Sequence, residues 1–399
     1  MKKLKLNLTI EKVNQVKIRV ISMSKKNLES KESKLRGKPI VLEFGSAFTR
    51  IGFSGEDAPR IVKPTIVGYK DEVSKNDNLT SILTNTNKQA FVGIAAIESR
   101  KELEIVYPIE NRKIKDIQAL KVMTQYAIER DLSITPDEHA AIVILPYPIS
   151  DEEKEELTKM LLDDLKFPGV YVSSSENMPL YSIGRTTGLV VDSGYEKTDI
   201  VPIIDGKIIT KAVKSLNIGG YHVTNKLRAS LREQDFTYTD EEDKFFGAAR
   251  SIKENLCYVA LNADKELSSK VSGMRKIHNL PNGEKYIVEL QRFLATEILF
   301  QPEMIDLKEK PLHEQIIESI QSCDTKTQSS LWSNIVITGG NSILPGYHAR
   351  LNHELKLLVP ENEDVRIHST PSHSSFSSWI GASILSSRME FSKHWITKK

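Results

Sequence analysis

Val41-Leu42-Glu43-Phe44-Gly45 recurs 149 residues later as Val190-Val191-Asp192-Ser193-Gly194. At the same offset Thr49 matches Thr198 and Ile51 matches Ile200. Each copy reads as a short apolar strand, an acid, one residue, a glycine, a polar stretch and a second strand. The return strands are Thr49 to Phe53 and Thr198 to Ile204, so each copy predicts a β-hairpin with glycine in its turn. Two such copies predict two similar halves. On the repeat alone, two unrelated hairpins with ordinary turn glycines remain open.

Outward from the repeat, strands and helices alternate, which predicts an α/β architecture. Ile114 to Leu132 reads as a helix, and Ala141 to Leu145 as a strand stopped by Pro146 and Pro148. Ser150 with Glu153 three residues on forms a capping box. It opens a helix whose Leu157, Met160, Leu161 and Leu165 recur at helical spacing. Val170 to Val172 is another strand. Gly68 to Lys88, rich in Asn, Thr, Ser, Lys and Asp, reads as a long mobile loop. Ile335-Val336-Ile337-Thr338 is a buried strand running into Gly339-Gly340-Asn341, and a periodic helix (Tyr347, Leu351, Leu355) follows.

Glycine lets backbone N–H groups approach an anion, and Ser46 and Ser193 add hydroxyls beside Gly45 and Gly194. Two such turns suit a polyphosphate. Glu43 and Asp192 at the strand ends suit a hydrated divalent cation such as Mg²⁺. The Gly339–Gly340 turn lets a flat ring or a phosphate reach the backbone. Lys253 and Glu254 sit mid-helix beside an apolar stripe of Ile252, Leu256 and Val259. On residue pattern alone they read as a solvated face. Cys257 reads as a small buried residue on that helix, not a nucleophile.

Composition bounds the remainder. The 399 residues are 39% apolar and 27% charged, with two cysteines. That fits a soluble globular chain of two or three domains in a reducing compartment, without a disulfide scaffold or four-cysteine zinc site. The longest apolar run, near Ala140 to Pro146, falls short of the ~18 residues of a membrane span. Net charge is +2, but residues 1–38 hold twelve Lys or Arg against three Glu, so +9 lies in the tail and −7 in the body. Nucleic-acid binding by the body is disfavoured on charge, and only the tail invites it. The tail lacks the apolar core of a secretory signal and reads as a solvated extension.

Longer runs carry a resemblance. They are Gly52-Phe53-Ser54-Gly55-Glu56-Asp57-Ala58-Pro59-Arg60, Tyr107-Pro108-Ile109-Glu110, Gly184-Arg185-Thr186-Thr187-Gly188, Ile252 to Leu261, Leu299-Phe300-Gln301-Pro302 and Trp379 to Leu385. In order and spacing they resemble actin and the actin-related proteins over roughly residues 38–396. The resemblance implies an actin-like fold of two ribonuclease-H-like α/β domains around a nucleotide cleft. Residues 38–182 with 376–399 would form domain I and 183–375 domain II, after a basic extension at 1–37. It implies ATP with Mg as cofactor. The phosphate turns would be Glu43 to Gly52, with Gly45, Ser46 and Arg50, and Asp192 to Asp199, with Ser193 and Gly194. Lys253 and Glu254 would lie by ribose and adenine, and Gly339, Gly340 and Asn341 on the adenosine turn. Glu43 and Asp192 would hold the metal through water.

Departures from the family pattern shape the functional expectation. The family's phosphate-contacting Lys is here Arg50, and a turn glycine is Ala47. In the second turn, Tyr195 stands for an acid, Glu196 for a glycine and Asp199 for a histidine. Ser175 stands where the family has the Gln that positions water, and Ser375 where an adenine-side Lys is found. Phosphoryl transfer needs an oriented water and stabilised charge, so an ATP-binding, non-hydrolysing and non-enzymatic structural subunit is expected. The expected partners are other actin-family or complex subunits, in a cytoplasmic, cytoskeletal assembly of filament or dynactin type. The alternatives are a nuclear subunit of a chromatin complex, suggested by the basic tail, and an ATPase or kinase of the same fold.

Overall fold

A computed structural model describes residues 37–71, 81–84, 88–232, 247–268, 275–279, 285–369 and 374–398. The basic extension lies outside the described residues apart from Gly37. The chain divides into two compact units, one running to Gly184 and resuming at Phe376, the other Arg185–Ser375.

In the first unit the sheet order is β5-β4-β1-β2-β3. The strands are β1 (Ile40–Phe44), β2 (Phe48–Phe53), β3 (Ile61–Pro64), β4 (Ala141–Leu145) and β5 (Val170–Ser174). β1 runs parallel to β4 and antiparallel to β2, and β4 is parallel to β5. Parallel strands are buried on both faces, and the side-chain alternation shows it. Ile40, Leu42 and Phe44 enter one core with Leu120, Ile128, Leu157 and Leu161. Val41, Ile142 and Ile144 enter another with Met178, Trp379 and Ala382. The first core is covered by α1 (Ile117–Tyr126), which continues as a wider π turn to Leu132, and by α2 (Asp151–Lys159). α2 starts at the expected capping box. The Glu153 N–H donates to Ser150 Oγ at 3.1 Å, and the Ser150 N–H to Glu153 Oε2 at 2.9 Å. Helix Ser377–Ser386 covers the other face, and the Trp379 indole N–H donates to the Val41 carbonyl at 3.2 Å.

The expected loop from Gly68 to Lys88 is partly strand. Val67–Lys70, Ser81–Leu83, Gln89–Val92 and Glu104–Val106 form a four-stranded sheet. Polar composition hid the pairing, because the buried Gln89 amide donates to Ser81 Oγ at 2.7 Å and satisfies both side chains inside the sheet. Residues 72–80 and 85–87 lie outside the described set.

The second unit repeats the plan. Its sheet order is β8-β7-β6-β10-β11, with β9 also on β7. The strands are β6 (Gly188–Ser193), β7 (Thr198–Ile204), β8 (Lys207–Ile208), β9 (Lys214–Leu216), β10 (Ile335–Thr338) and β11 (Ile367–His368). β6 is antiparallel to β7 and parallel to β10, as β1 is to β2 and β4. Helices α3 (Gly220–Arg232), α4 (Ala248–Leu256), α5 (Leu312–Gln321) and α6 (Tyr347–Leu358) supply the core with Val223, Leu227, Ile252, Leu312, Ile316, Tyr347, Leu351 and Leu355. α4 ends at Leu256, short of the expected stripe. Val259 is buried from extended chain, and Cys257 is a buried cap residue beyond the helix.

Candidate functional site

In α/β sheets, ligands gather at the carboxyl ends of parallel strands. In both units the acid and the turn glycine singled out from sequence sit there. In the first unit, Glu43 pairs with Arg50 and Phe44 with Thr49 across the hairpin. The Gly45 N–H donates to the Phe48 carbonyl at 3.0 Å and closes the turn. Arg50 Nη1 donates to Glu43 Oε1 at 2.8 Å, and the guanidinium lies 5.5 Å from the Phe376 ring centre. Ala47 is buried and its carbonyl accepts from the Thr65 N–H, so its methyl is part of the packing under the turn.

Ser175 follows β5 directly. Its hydroxyl donates to Glu176 Oε1 at 3.1 Å. That carboxylate is 1% exposed and also accepts from the Tyr147 N–H at 3.1 Å and from Arg112 Nη2 at 3.4 Å. Arg112 occupies a left-handed conformation, φ 61°, in the two-residue turn between Ile109–Glu110 and Lys113–Ile114. Holding a non-glycine residue there costs of order 1 kcal/mol. The Arg112 contacts to Glu176 and to the Tyr147 carbonyl (3.0 Å) offset that cost.

The second turn has the same register, with Asp192 opposite Asp199 and Ser193 opposite Thr198. The Gly194 N–H donates to the Lys197 carbonyl at 3.0 Å. The start of α3 is pressed against this turn. The Gly220 N–H donates to the Gly194 carbonyl at 3.0 Å and the Tyr221 N–H to the Tyr195 carbonyl at 2.8 Å. A Cβ on Gly219 would lie 2.6 Å from Lys197 N, so only glycine fits. Asp199 is 1% exposed, accepts from the Ser215 hydroxyl and pairs with Lys197 Nζ at 3.1 Å. A cation therefore accompanies the extra acid that the sequence placed there.

One side chain and two backbone donors are committed within the fold. Ser193 is fully buried, and its hydroxyl is shared with Thr198 Oγ1 (2.9 Å) and Asn341 Nδ2 (3.1 Å), so it is not directed at a ligand. The two turn glycines spend their N–H groups closing the hairpins, not on an anion.

Lys253 is not on a solvated face. It is 8% exposed, and its ammonium donates to the Gly220 carbonyl at 2.9 Å. Gly220 makes room for it, since a Cβ there would lie 3.3 Å from Lys253 Nζ. Burial, and then the nearby Arg250 charge, lower the Lys253 pKa to about 8. Glu254 is exposed and accepts from Arg250 Nε at 2.7 Å. Gly339 has φ 87°, and its Cα abuts the second turn, where a Cβ would lie 2.6 Å from Asp192 Oδ1. A Cβ on Gly340 would meet nothing within 4 Å, so that position opens onto free space.

A family model for actin matches residues 34–399. The chain belongs to the actin family. Members of that family generally bind ATP with a divalent cation, and the α/β architecture agrees with an actin-like fold. Lys253, through the Gly220 carbonyl, and Gly339 and Asn341 come together around the second hairpin turn, with open space at Gly340, while Glu254 lies exposed on Arg250. Among the described residues no three His, Cys, Asp or Glu side chains cluster as a metal site. No helix among the described residues is long and apolar enough to cross a membrane.

Three features escaped sequence reading. Gly219–Gly220 carried a signal, a glycine pair opening an amphipathic run. Tyr347 was assigned to core, and it is fully buried, but its hydroxyl also lies by Ser193 and Asp192. The Arg112–Glu176 pair had no local signal, because its members are 64 residues apart.

Proposed function

We propose that this actin-family chain is a divergent actin-related protein that binds ATP with Mg²⁺ and holds it without hydrolysis as a structural part of a cytoskeletal assembly. When bound, the metal neutralises phosphate charge. In the second unit Asp192 would hold the metal through water and Lys253 and Glu254 would meet the nucleoside; in the first, Glu43 is the matching acid for the hydrated metal and Arg50 the cation for phosphate. Binding to the folded chain alone stabilises it by linkage.

One observation carries the non-hydrolysing part. Ser175, standing where the family has the Gln that positions water, and Asp199, standing for a histidine of the second turn, are turned inward. Ser175 gives its hydroxyl to Glu176, and Asp199 is enclosed by Lys197 and Ser215. Ser175 thus spends its one proton inside the fold and Asp199 is 1% exposed, whereas phosphoryl transfer requires an oriented water. Partners of actin-like or other complex-subunit type follow from the family. The basic first 38 residues favour a second reading, a nuclear subunit whose tail meets nucleic acid.

Two experiments test the proposal. Turnover of Mg-ATP by the purified chain should not exceed that of Glu43→Ala and Asp192→Ala variants, and turnover abolished by either substitution would overturn it. Gentle purification from the native cells should give large native mass with cytoskeletal partners. Chromatin-modifying partners, with a tail-deleted chain excluded from the nucleus, would instead establish the nuclear reading.

A further inference from the structure

Asn341 was expected to touch the nucleotide, yet its side chain is committed elsewhere. It is 4% exposed and follows Gly339–Gly340 directly. Its amide nitrogen donates to the Gly194 carbonyl at 2.9 Å and to Ser193 Oγ at 3.1 Å. A carbonyl can only accept, so the nitrogen must be the atom facing Gly194 and the amide orientation is fixed. The same carbonyl accepts the Gly220 N–H, which fills both of its lone pairs. The amide oxygen faces the other way, 3.1 Å from where a Cβ of Gly220 would stand, beside the Lys253 ammonium. Three segments thus meet on one side chain: the Gly339–Gly340 turn, the Ser193–Lys197 turn and the start of α3 with Lys253.

We propose that Asn341 is a positioning residue that couples the Gly339–Gly340 turn to the Ser193–Lys197 turn. A nucleoside seated against Gly340 thereby fixes the turn that receives phosphate. The inference rests on the nucleotide reading of this site and adds to it an internal cooperativity. Gly340 is the open position, and Asn341 is its neighbour in the chain. Ligand contact that fixes Gly340 also fixes the donor that holds Gly194. Through the shared carbonyl it fixes the Gly220 N–H and the Lys253 acceptor beside it. Adenosine gains nothing from the phosphate turn, whereas ATP does.

The test uses the full-length chain and two readouts. The first is the dissociation constant of adenosine and of Mg-ATP for wild type, Asn341→Ala and Asn341→Asp. In Asn341→Ala the ATP constant should rise about tenfold, the size expected for one lost hydrogen-bonded staple, with the adenosine constant changed less than about threefold. Asn341→Asp should lose more, because a carboxylate oxygen then faces the Gly194 carbonyl. A purely structural role would lower thermal stability and leave the ratio of the two constants unchanged. The second readout is amide exchange at Gly220 and Tyr221 in nucleotide-free protein, which should quicken about tenfold in Asn341→Ala. Unchanged exchange would overturn the staple whatever the binding data show. Faster exchange with an unchanged ratio would overturn the coupling. A wild-type chain that binds neither ligand would overturn the nucleotide reading and the coupling with it, and exchange would still decide the staple.

Discussion

At the end of β1, Glu43 faces Arg50 across the ladder, whereas at the matching rung of the second hairpin Asp192 faces Asp199. The backbones are copies, down to a glycine N–H closing each turn at 3.0 Å. The charge handling is opposite. The first turn is neutral within itself, through the 2.8 Å Glu43–Arg50 pair. The second places two carboxylates on one face of a sheet, a pairing that is unfavourable by roughly 0.2–1 kcal/mol. Lys197 pairs with Asp199 at 3.1 Å. The second turn is then tied down by neutral hydrogen bonds with Thr198, Asn341 and the start of α3. A shared hairpin thus serves as one turn whose facing rung is an ion pair and another whose facing rung is two acids.

The largest effect should come from glycine. Gly339→Val puts a branched side chain at φ 87° and drives its Cβ into the Ser193 carbonyl and Asp192. A loss of more than about 3 kcal/mol, or no soluble protein, is expected in urea titrations. Gly45→Ala in the first turn meets only the Phe48 carbonyl, at 3.1 Å, and should cost about 1 kcal/mol or less. Equal penalties would erase the distinction in how tightly the two turns are packed. Glu176→Ala comes next. It strands the buried Arg112 charge in a left-handed turn and should cost about 3–5 kcal/mol by denaturation. Glu176→Gln should recover part of that.

Opposite signs are expected at the matched acids. In EDTA, Glu43→Gln leaves Arg50 without its carboxylate and should destabilise by about 1–2 kcal/mol. Asp192→Asn removes the like-charge pairing, so it should be neutral or stabilising by up to about 1 kcal/mol. The same variant should lose the thermal shift that Mg²⁺ with ATP gives the wild type. Matching signs in EDTA would contradict the contrast between an ion-paired rung in the first turn and a like-charge rung in the second.

The smallest effect is in pH. The Lys253 pKa is lowered by burial to about 8 in the folded chain, and the unfolded chain titrates near its ordinary value of about 10.4. Between these values the unfolded state binds more protons, so stability rises as pH increases through 8. The gain by pH 9 is of order 1 kcal/mol. ATP affinity should fall over the same interval as the cation beside the nucleoside is lost. Lys253→Met should flatten both trends.

Much of this was legible in sequence because the repeat is a backbone property. Strand, acid and glycine recur at one offset, and the parallel partners Ala141–Leu145 and Ile335–Thr338 show as apolar runs. What was hidden depends on contacts between distant segments. Lys253 is buried because Gly220, 33 residues away, has no side chain. Arg112 is held in its turn by Glu176. Ser193 and Asn341 look like ligand donors in a linear reading, and the fold spends them on each other. Ser81–Leu83 was lost among polar residues because its pairing is satisfied by Gln89, beyond the local window.

The central claim is that these turns hold ATP and do not consume it. The most direct test is to purify the chain gently in Mg²⁺, denature it and identify the released nucleotide by chromatography. The account predicts about one adenine nucleotide per chain, recovered as ATP and unchanged after prolonged incubation. Nucleotide recovered as ADP with released phosphate, or none at all, would contradict it.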